Sequence, residues 1–311
     1  MPGRTAEAPG RAGGAPAPGP DRGAVVRAQE PPPDGAVGHG RVAVVTPVSG
    51  RHRHLALQQA GLARGTRRPD HHVVVTMADP EAGRIAAAGD PHGDAVPVPV
   101  PVPGRLPLAA ARNAGARHAL DAGARVLVFL DVDCVPGPGT VARYAAAARD
   151  GLLLCGTVAY LPPPPAAGYR LARLPELAAP HPARPDPGPG ELVTGGDPDL
   201  FWSLSFAVTA ATWARIGGFC EEYTGYGGED TDFARLADRA GVGVGWLGGA
   251  PAYHQYHPVE DPPVRHLDDI LRNGALFRRR WGHWPMVGWL REFARLGLVR
   301  HDPATGTWYA T

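Results

Sequence analysis

The sequence predicts an α/β fold with a mainly parallel central sheet flanked by helices, and three observations predict it. Short apolar runs rich in Val and Leu occupy residues 42–46, 72–76 and 126–130. Within each run the apolar residues follow one another without alternation, as they do in a strand covered on both faces. Stretches of helical composition separate the runs, and strands alternating with helices imply crossover connections and a parallel sheet.

The elements follow in order. Val42-Ala43-Val44-Val45-Thr46 reads as a buried strand ending at Pro47, and residues 52–64 as a helix. His72-Val73-Val74-Val75-Thr76 is a second buried strand, stopped by Asp79-Pro80. Residues 94–103 alternate Val with Pro; proline cannot donate to a ladder, so this is an edge strand or an extended connector. Leu108, Ala111, Gly115 and Ala119 line one face of a helix, and Val126-Leu127-Val128-Phe129-Leu130 forms the third buried strand. The second half is less regular. Residues 152–158 and 201–208 read as strands, 209–216 as a short helix, and 161–190 as a Pro-rich loop with a short helix. Trp246-Leu247 and Ala252-Tyr253-His254 read as strand ends. Residues 263–280 read as a helix with Val264, Leu267, Leu271 and Phe277 on one side, and Trp281, Trp284 and Trp289 as a packing cluster.

Composition sets outer limits. The chain has 311 residues, 44% hydrophobic and 20% charged, enough for a substantial core. Its 42 Gly and 36 Pro are unevenly spread, and residues 1–40, a Pro/Gly/Ala mixture, read as a disordered tail without the apolar run of a secretory signal. A net charge of +1 gives no overall attraction to nucleic acid or anionic lipid. Every basic residue is Arg or His, which we read as codon bias. Cys134, Cys155 and Cys220 are widely spaced and odd in number, as expected of reduced thiols. No apolar run approaches the roughly 20 residues that cross a bilayer. The expectation is a cytoplasmic enzyme with no transmembrane segment; peripheral membrane contact is left open.

Two segments carry chemistry. Gly225-Tyr226-Gly227-Gly228 precedes Glu229, Asp230 and Asp232, and Phe233, Leu236, Ala237 and Ala240 then repeat with helical spacing. The acids therefore sit at a helix start, where exposed backbone N–H groups favour negative charge. A lid-like loop delivering acids to a fixed helix end can build a general base. The other segment is Asp131-Val132-Asp133, directly after the third buried strand. Ligands of open α/β sheets lie beyond the carboxyl ends of the strands, which places Thr46, Pro47, Asp79, Asp131 and Asp133 on one rim. One acid of the pair can face a divalent cation, Mg²⁺ or Mn²⁺, and the other a ribose or a water. Tyr253-His254-Gln255-Tyr256-His257 offers two imidazoles three residues apart. We expect one to be a metal ligand and choose His254.

Together these residues resemble the inverting, metal-dependent glycosyltransferases of family 2 with a GT-A fold: a Rossmann-like sheet with a less regular, acceptor-side C-terminal half. The segment Gly-Gly-Phe through Gly-Tyr-Gly-Gly-Glu-Asp-Thr-Asp is similar to the C-terminal motif of β-1,4-galactosyltransferases, with Tyr226 in the usual Trp position as an aromatic platform for a sugar. The resemblance covers roughly residues 41–285, divided into a nucleotide-binding half, 41–135, and an acceptor-side half, 136–285. Residues 286–311 would be an extension packed on that domain. The resemblance implies roles. Asp133, Asp131 and His254 would hold the metal, with Asp131 also near the ribose. Asp230 would be the general base and Glu229 would orient the acceptor. Thr46, Pro47 and Arg51 would border the nucleotide, Asp79 would read the base, Arg112 and Asn113 would lie near the donor, and Trp202 would shape the sugar site. The implied partners are a nucleotide-sugar donor, a UDP-sugar by preference, and a carbohydrate or other hydroxyl acceptor. Two other functions use similar parts: a nucleotidyltransferase, for which Val48-Ser49-Gly50-Arg51 is a poor phosphate loop, and a non-catalytic sugar-nucleotide-binding protein.

Overall fold

The computed structural model describes residues 26–29, 40–90, 95–195 and 197–311. Its elements run β1 Val26–Gln29, β2 Arg41–Val48, α1 His52–Ala63, β3 His71–Met77, α2 Pro80–Ala88, β4 Ala95–Val100, α3 Leu108–Asp121, β5 Ala124–Leu130 and β6 Cys134–Pro136. The chain continues through α4 Thr140–Ala147, β7 Leu152–Tyr160, α5 Leu174–Leu177, β8 Ala179–Pro180, β9 Glu191–Thr194, β10 Ser205–Thr209, α6 Ala210–Ile216, α7 Glu229–Arg239 and β11 Gly243–His254. Helices α8 Leu267–Trp281 and α9 Val287–Arg295 and a hairpin, β12 Val299–Asp302 with β13 Thr307–Ala310, complete it.

The sheet has the order β1-β9-β11-β7-β10-β5-β2-β3-β4, with β6 on β11 and β8 on β7. Strands β5, β2, β3 and β4 are mutually parallel, as are β7 and β11. Strand β10 runs antiparallel between β5 and β7. The α/β reading holds, with most strands pointing one way. β4, the Val-Pro segment, is an edge strand, where its missing N–H donors face no neighbour.

The core follows the sequence pattern. Val42 to Val45, Val73 to Val75 and Leu127 to Leu130 are all at most 1% exposed. Helix α3 lies close against β2 and β3 at Gly115, where a Cβ would overlap Val45 and stand 2.8 Å from Val75. On the same face Phe129 stacks on Phe206 at 4.5 Å and Phe219 on Phe233 at 4.1 Å. These rings seat α7 against the sheet. Helix α6 starts where Thr209 accepts from the Thr212 N–H, an ordinary N-cap.

Several boundaries differ from the sequence reading. Strand β2 continues through Thr46 and Pro47 to Val48, so the loop after it is Ser49 to Arg51. Asp79-Pro80 starts a helix as well as ending a strand: Asp79 caps α2 by accepting from Ala82, and Pro80 takes the first helical position, where its missing N–H costs nothing. The two expected strand ends at 246–254 belong to one strand, β11, whose register shifts between Leu247 and Ala252. Helix α8 begins at Leu267, four residues late, because Val264–His266 form a 3-10 turn after the prolines at 262 and 263. Val264 is exposed, and the buried face is Ile270, Asn273, Gly274 and Phe277. Of the expected tail, residues 26–29 instead pair antiparallel with β9, an edge that offers free backbone groups; residues 1–25 and 30–39 lie outside the described residues.

Two compact units divide the chain. One holds the sheet, through residue 224 and again over 229–257; the other holds 225–228 with 258–311. In the second unit Ile270, Trp284, Leu290, Phe293 and Val299 form the core, and Trp284 Nε1 donates to the Gly306 carbonyl at 2.8 Å. The Gly225–Gly228 loop is held there: Asn273 donates to the carbonyls of Tyr226 and Gly227, and the Tyr226 N–H donates to Asp269. The Tyr226 ring stacks on His266 at 4.4 Å.

Candidate active site

The carboxyl ends of β2, β5 and β11 converge in the sheet unit. β6 pairs with β11 so that Cys134 faces His254, and the Gln255 N–H donates to the Asp133 carbonyl at 2.8 Å. This register sets Asp133 beside the two histidines. His254 Nε2 lies 3.5 Å from Asp133 Oδ1, and His257 Nε2 lies 3.6 Å from Oδ2. One ligand atom from each of the three side chains falls within 4.8 Å of the others. Asp133 Oδ1 is buried with no hydrogen-bond partner, an acceptor that the protein itself leaves unfilled.

The loop carrying Asp131 and Asp133 is held from beneath. Gln58, fully buried in α1, donates to the carbonyls of Asp131 at 2.7 Å and Cys134 at 2.9 Å. Its own carbonyl accepts from the Thr46 hydroxyl at 3.0 Å, and His72 Nε2 lies 3.1 Å from that hydroxyl.

Arg112 joins the two sequence motifs. Its guanidinium, 2% exposed, donates to Asp131 at 2.9 Å and to Glu229 at 3.3 Å. The tip of β5 and the start of α7 thus share one buried cation, although 98 residues separate the two acids. Burial pushes the Glu229 carboxyl up to about 7; Asp230 beside it adds to the rise and Arg112 opposes it. Burial also raises Asp230 and Asp131, and Arg112 partly offsets both. Asp230 is the more accessible acid of the pair, and one of its oxygens accepts from the Thr231 N–H at 2.8 Å. Asp232 points inward and accepts from the Tyr223 hydroxyl at 3.2 Å.

Of the residues singled out in the sequence, the structure gathers Arg51, Arg112, Asp131, Asp133, Glu229, Asp230 and His254. Arg51 Nη1 is 3.3 Å from Asp133. The others make contacts of their own. Thr46 is buried with its hydroxyl committed, and Pro47 lies within the strand. Asn113 clamps the Phe219 backbone with two 2.9 Å bonds and donates to Glu221. Asp79 accepts from Gly50 and His52, bracing the loop before Arg51; burial raises its carboxyl, but these bonds and the one from Ala82 bring it below its usual range. Trp202 packs edge-on to His181 at 4.8 Å. Asp131 pairs with Arg112 and is not in the three-residue ligand cluster, whereas His257 is. Gln58 escaped the sequence reading, although two adjacent glutamines inside the apolar run Leu-Ala-Leu-Gln-Gln-Ala-Gly-Leu-Ala signal a buried polar function.

Four carboxylates, Asp131, Asp133, Glu229 and Asp230, stand against two guanidinium groups, Arg51 and Arg112. Fully ionised, they leave 4 − 2 = 2 negative charges. With one carboxylate and two imidazoles as donors, the cluster fits a divalent cation of the Mn²⁺ type better than Mg²⁺.

The site defines a class: an α/β protein with an acid–imidazole cluster at the carboxyl ends of its parallel strands. Comparison with known proteins narrows it. Residues 199–258 match the family model described as the N-terminal domain of galactosyltransferase, a segment that contains Trp202, Glu229, Asp230, His254 and His257. A validoxylamine A glucosyltransferase of Streptomyces hygroscopicus subsp. limoneus is 29% identical over 239 residues, 70% of this chain and 52% of the relative. Another, from Streptomyces hygroscopicus subsp. jinggangensis (strain 5008), is 30% identical over 154 residues, 43% of this chain and 36% of the relative. The chain spans about half, or less, of the length of these curated relatives. A crystal structure of GalNAc-T7 with UDP, GalNAc and Mn²⁺ aligns with a TM-score of 0.49 and 15% identity, over 70% of this chain and 44% of that one. Among the described residues no helix is long and apolar enough to cross a membrane.

Proposed function

We propose that this protein is an inverting, divalent-metal-dependent glycosyltransferase of the GT-A type that moves a sugar from a nucleoside-diphosphate sugar to an acceptor hydroxyl. One observation carries the reading: Arg112 bonds both Asp131, beside the metal-ligand cluster, and Glu229, beside Asp230. Groups suited to a departing diphosphate and groups suited to an attacking hydroxyl therefore lie around one guanidinium. The match of residues 199–258 to a galactosyltransferase family supports it.

Asp133, His254 and His257 would hold the cation, which when bound supplies positive charge to a departing diphosphate. Arg51, beside Asp133, adds a second positive group there. Asp230 takes the proton of the acceptor hydroxyl. The acceptor oxygen then bonds to the anomeric carbon on the face opposite the leaving group. The carbon–oxygen bond to the diphosphate breaks, its electron pair leaving with the phosphate, so an α-linked donor gives a β-linked product. Glu229, fixed by Arg112, orients the acceptor, and its elevated carboxyl keeps it ready to share a proton with that hydroxyl. The names of the curated relatives make glucose the first sugar to assay.

Transfer assayed over UDP-, GDP- and dTDP-sugars with Mn²⁺ tests the reading. Asp230→Asn should lower turnover by about 10²–10⁴-fold while the donor still raises the melting temperature. Wild-type turnover in that variant would remove Asp230 as the base. Failure of every donor to bind the wild-type protein would remove the function.

A further inference from the structure

Outside this site, the sheet unit buries a second guanidinium, that of Arg184. The residue is 8% exposed, yet Nη1 and Nη2 have no hydrogen-bond partner. Its guanidinium lies 4.8 Å from the Trp246 ring centre and 5.2 Å from that of Trp202. Two indoles favour a cation by their ring quadrupoles but provide no counter-charge. Neither Nη bonds a described carboxylate. Asp186, two residues on, is exposed and accepts from the Thr157 hydroxyl at 2.8 Å.

The titratable neighbours do not supply the missing charge. Burial pushes the Cys155 thiol up to about 12, and Arg184 beside it only partly opposes the rise, so the sulfur stays protonated. Burial, and Arg184 next, hold the His181 imidazole below its ordinary value and so neutral. Burial likewise raises the Tyr144 phenol. A guanidinium cannot discharge by losing a proton, and an uncompensated buried charge is costly.

The fold leaves a space beside it. Gly156 of β7 comes so close to Ala250 that a Cβ would overlap the Ala250 carbonyl and stand 2.7 Å from the Tyr144 hydroxyl. Across from it, β11 shifts register between Leu247 and Ala252. Beside this irregularity Thr157, His181 and Arg184, with prolines 180 and 185, line a cavity of about 10 Å³. That is room for one water-sized group.

We propose that Arg184, flanked by Trp202 and Trp246 and capped by His181, is a binding site for a small monoanion, a halide or one end of a carboxylate. The two Nη groups form a fork that donates to a single anionic atom or to the two oxygens of a carboxylate. The cavity is too small for a phosphate with its shell of oxygens. The site lies along a chain of ring contacts from the candidate metal ligands: His254 to Tyr160 at 4.8 Å, Tyr160 to His181 at 5.8 Å, and His181 to Trp202 at 4.8 Å.

The test uses the purified full chain in sodium chloride, sodium formate and sodium gluconate at matched ionic strength. It reads melting temperature and tryptophan emission. Chloride or formate should raise the melting temperature saturably, by about 2–4 °C at ten times the dissociation constant, while gluconate, whose hydroxylated carbon beside the carboxyl does not fit the cavity, should not. Tenfold tighter binding of chloride identifies a halide site, and of formate a carboxylate site. Arg184→Met should abolish the difference between salts. Identical melting curves in all three salts, or a chloride or formate shift that persists in Arg184→Met, would overturn the proposal. If that variant does not fold, the wild-type salt comparison decides. Where chloride gives the shift, a bromide-soaked crystal gives a second decision: an anomalous peak beside Arg184 supports the site, and none there overturns it.

Discussion

Arg112→Met asks how much the fold depends on one guanidinium. In the wild type a 2%-exposed Arg side chain neutralises Glu229, whose side chain is 10% exposed, and Asp131, at 23%. Removing one partner of a buried ion pair typically costs 3–5 kcal/mol, on the order of the whole effect expected from Glu229. Asp131 adds less, because water reaches nearly a quarter of it. The sum is about 4 kcal/mol at pH 8, or roughly a 10 °C drop in melting temperature. The pH dependence gives the sharper test. Glu229 already has a folded-state value of about 7, and losing Arg112 raises both acids further. A carboxyl raised on folding binds more protons in the folded state, so stability falls as pH rises from the unfolded value, about 4.3, through the folded one. The variant's deficit should therefore be smallest near pH 4.5 and widen above pH 7. Urea denaturation of both proteins at pH 5 and pH 8 measures it, and adding Glu229→Gln should recover about 1–2 kcal/mol at pH 8. A variant within about 1 kcal/mol of wild type at pH 8, or a deficit independent of pH, would refute the view of Arg112 as the shared counter-ion.

Other perturbations follow from the same contacts. Gln58→Leu orphans the carbonyls of Asp131 and Cys134; Mn²⁺ affinity, read by calorimetry, should fall about 10–100-fold, and unchanged affinity would show that the loop holds itself. Burial holds the His72 imidazole down at about 4 from an ordinary 6.5. The unfolded chain therefore takes up the proton first, and about 3 kcal/mol of stability should be lost as pH falls from 6.5 to 4. His72→Gln should flatten that limb of the denaturation profile, and a parallel limb would exclude His72 as its source. Gly115→Ala should cost about 1–3 kcal/mol by forcing α3 off Val45 and Val75, measured as a lower urea midpoint.

What could be read beforehand depended on how each residue is buried. Strands β2, β3 and β5 are covered on both faces, so their Val and Leu runs are unbroken and legible. Helix α7 announced itself because its acids and its apolar repeat fall at the same place. Helix α4 did not, since four of its eight residues are alanine and alanine marks no face clearly. Strand β11 looked like two pieces because Gly248 and Gly249 sit at its register shift. In the site, Asp131, Asp133, Glu229 and Asp230 are visible as local patterns. Which histidine faces Asp133 is set by the pairing of β6 with β11, a long-range fact that no short window contains. Arg112 was placed near the donor, but its two acidic partners come from 19 and 117 residues away. Gln58 and Arg184 act through burial, which composition does not report.

The antiparallel pairing of Cys134–Pro136 with Ala252–His254 also constrains how chain length can vary over evolutionary time. Strand geometry repeats every two residues, so one residue inserted within Cys134–Pro136 would turn Asp133 away from the imidazoles, and one within Ala252–His254 would turn His254 to the far side of the sheet. The exposed proline turn at 162–167 carries no such parity and can lengthen or shorten freely. Diversification in relatives of this chain should therefore gather in that turn, while the short ladder beside Asp133 keeps an invariant count.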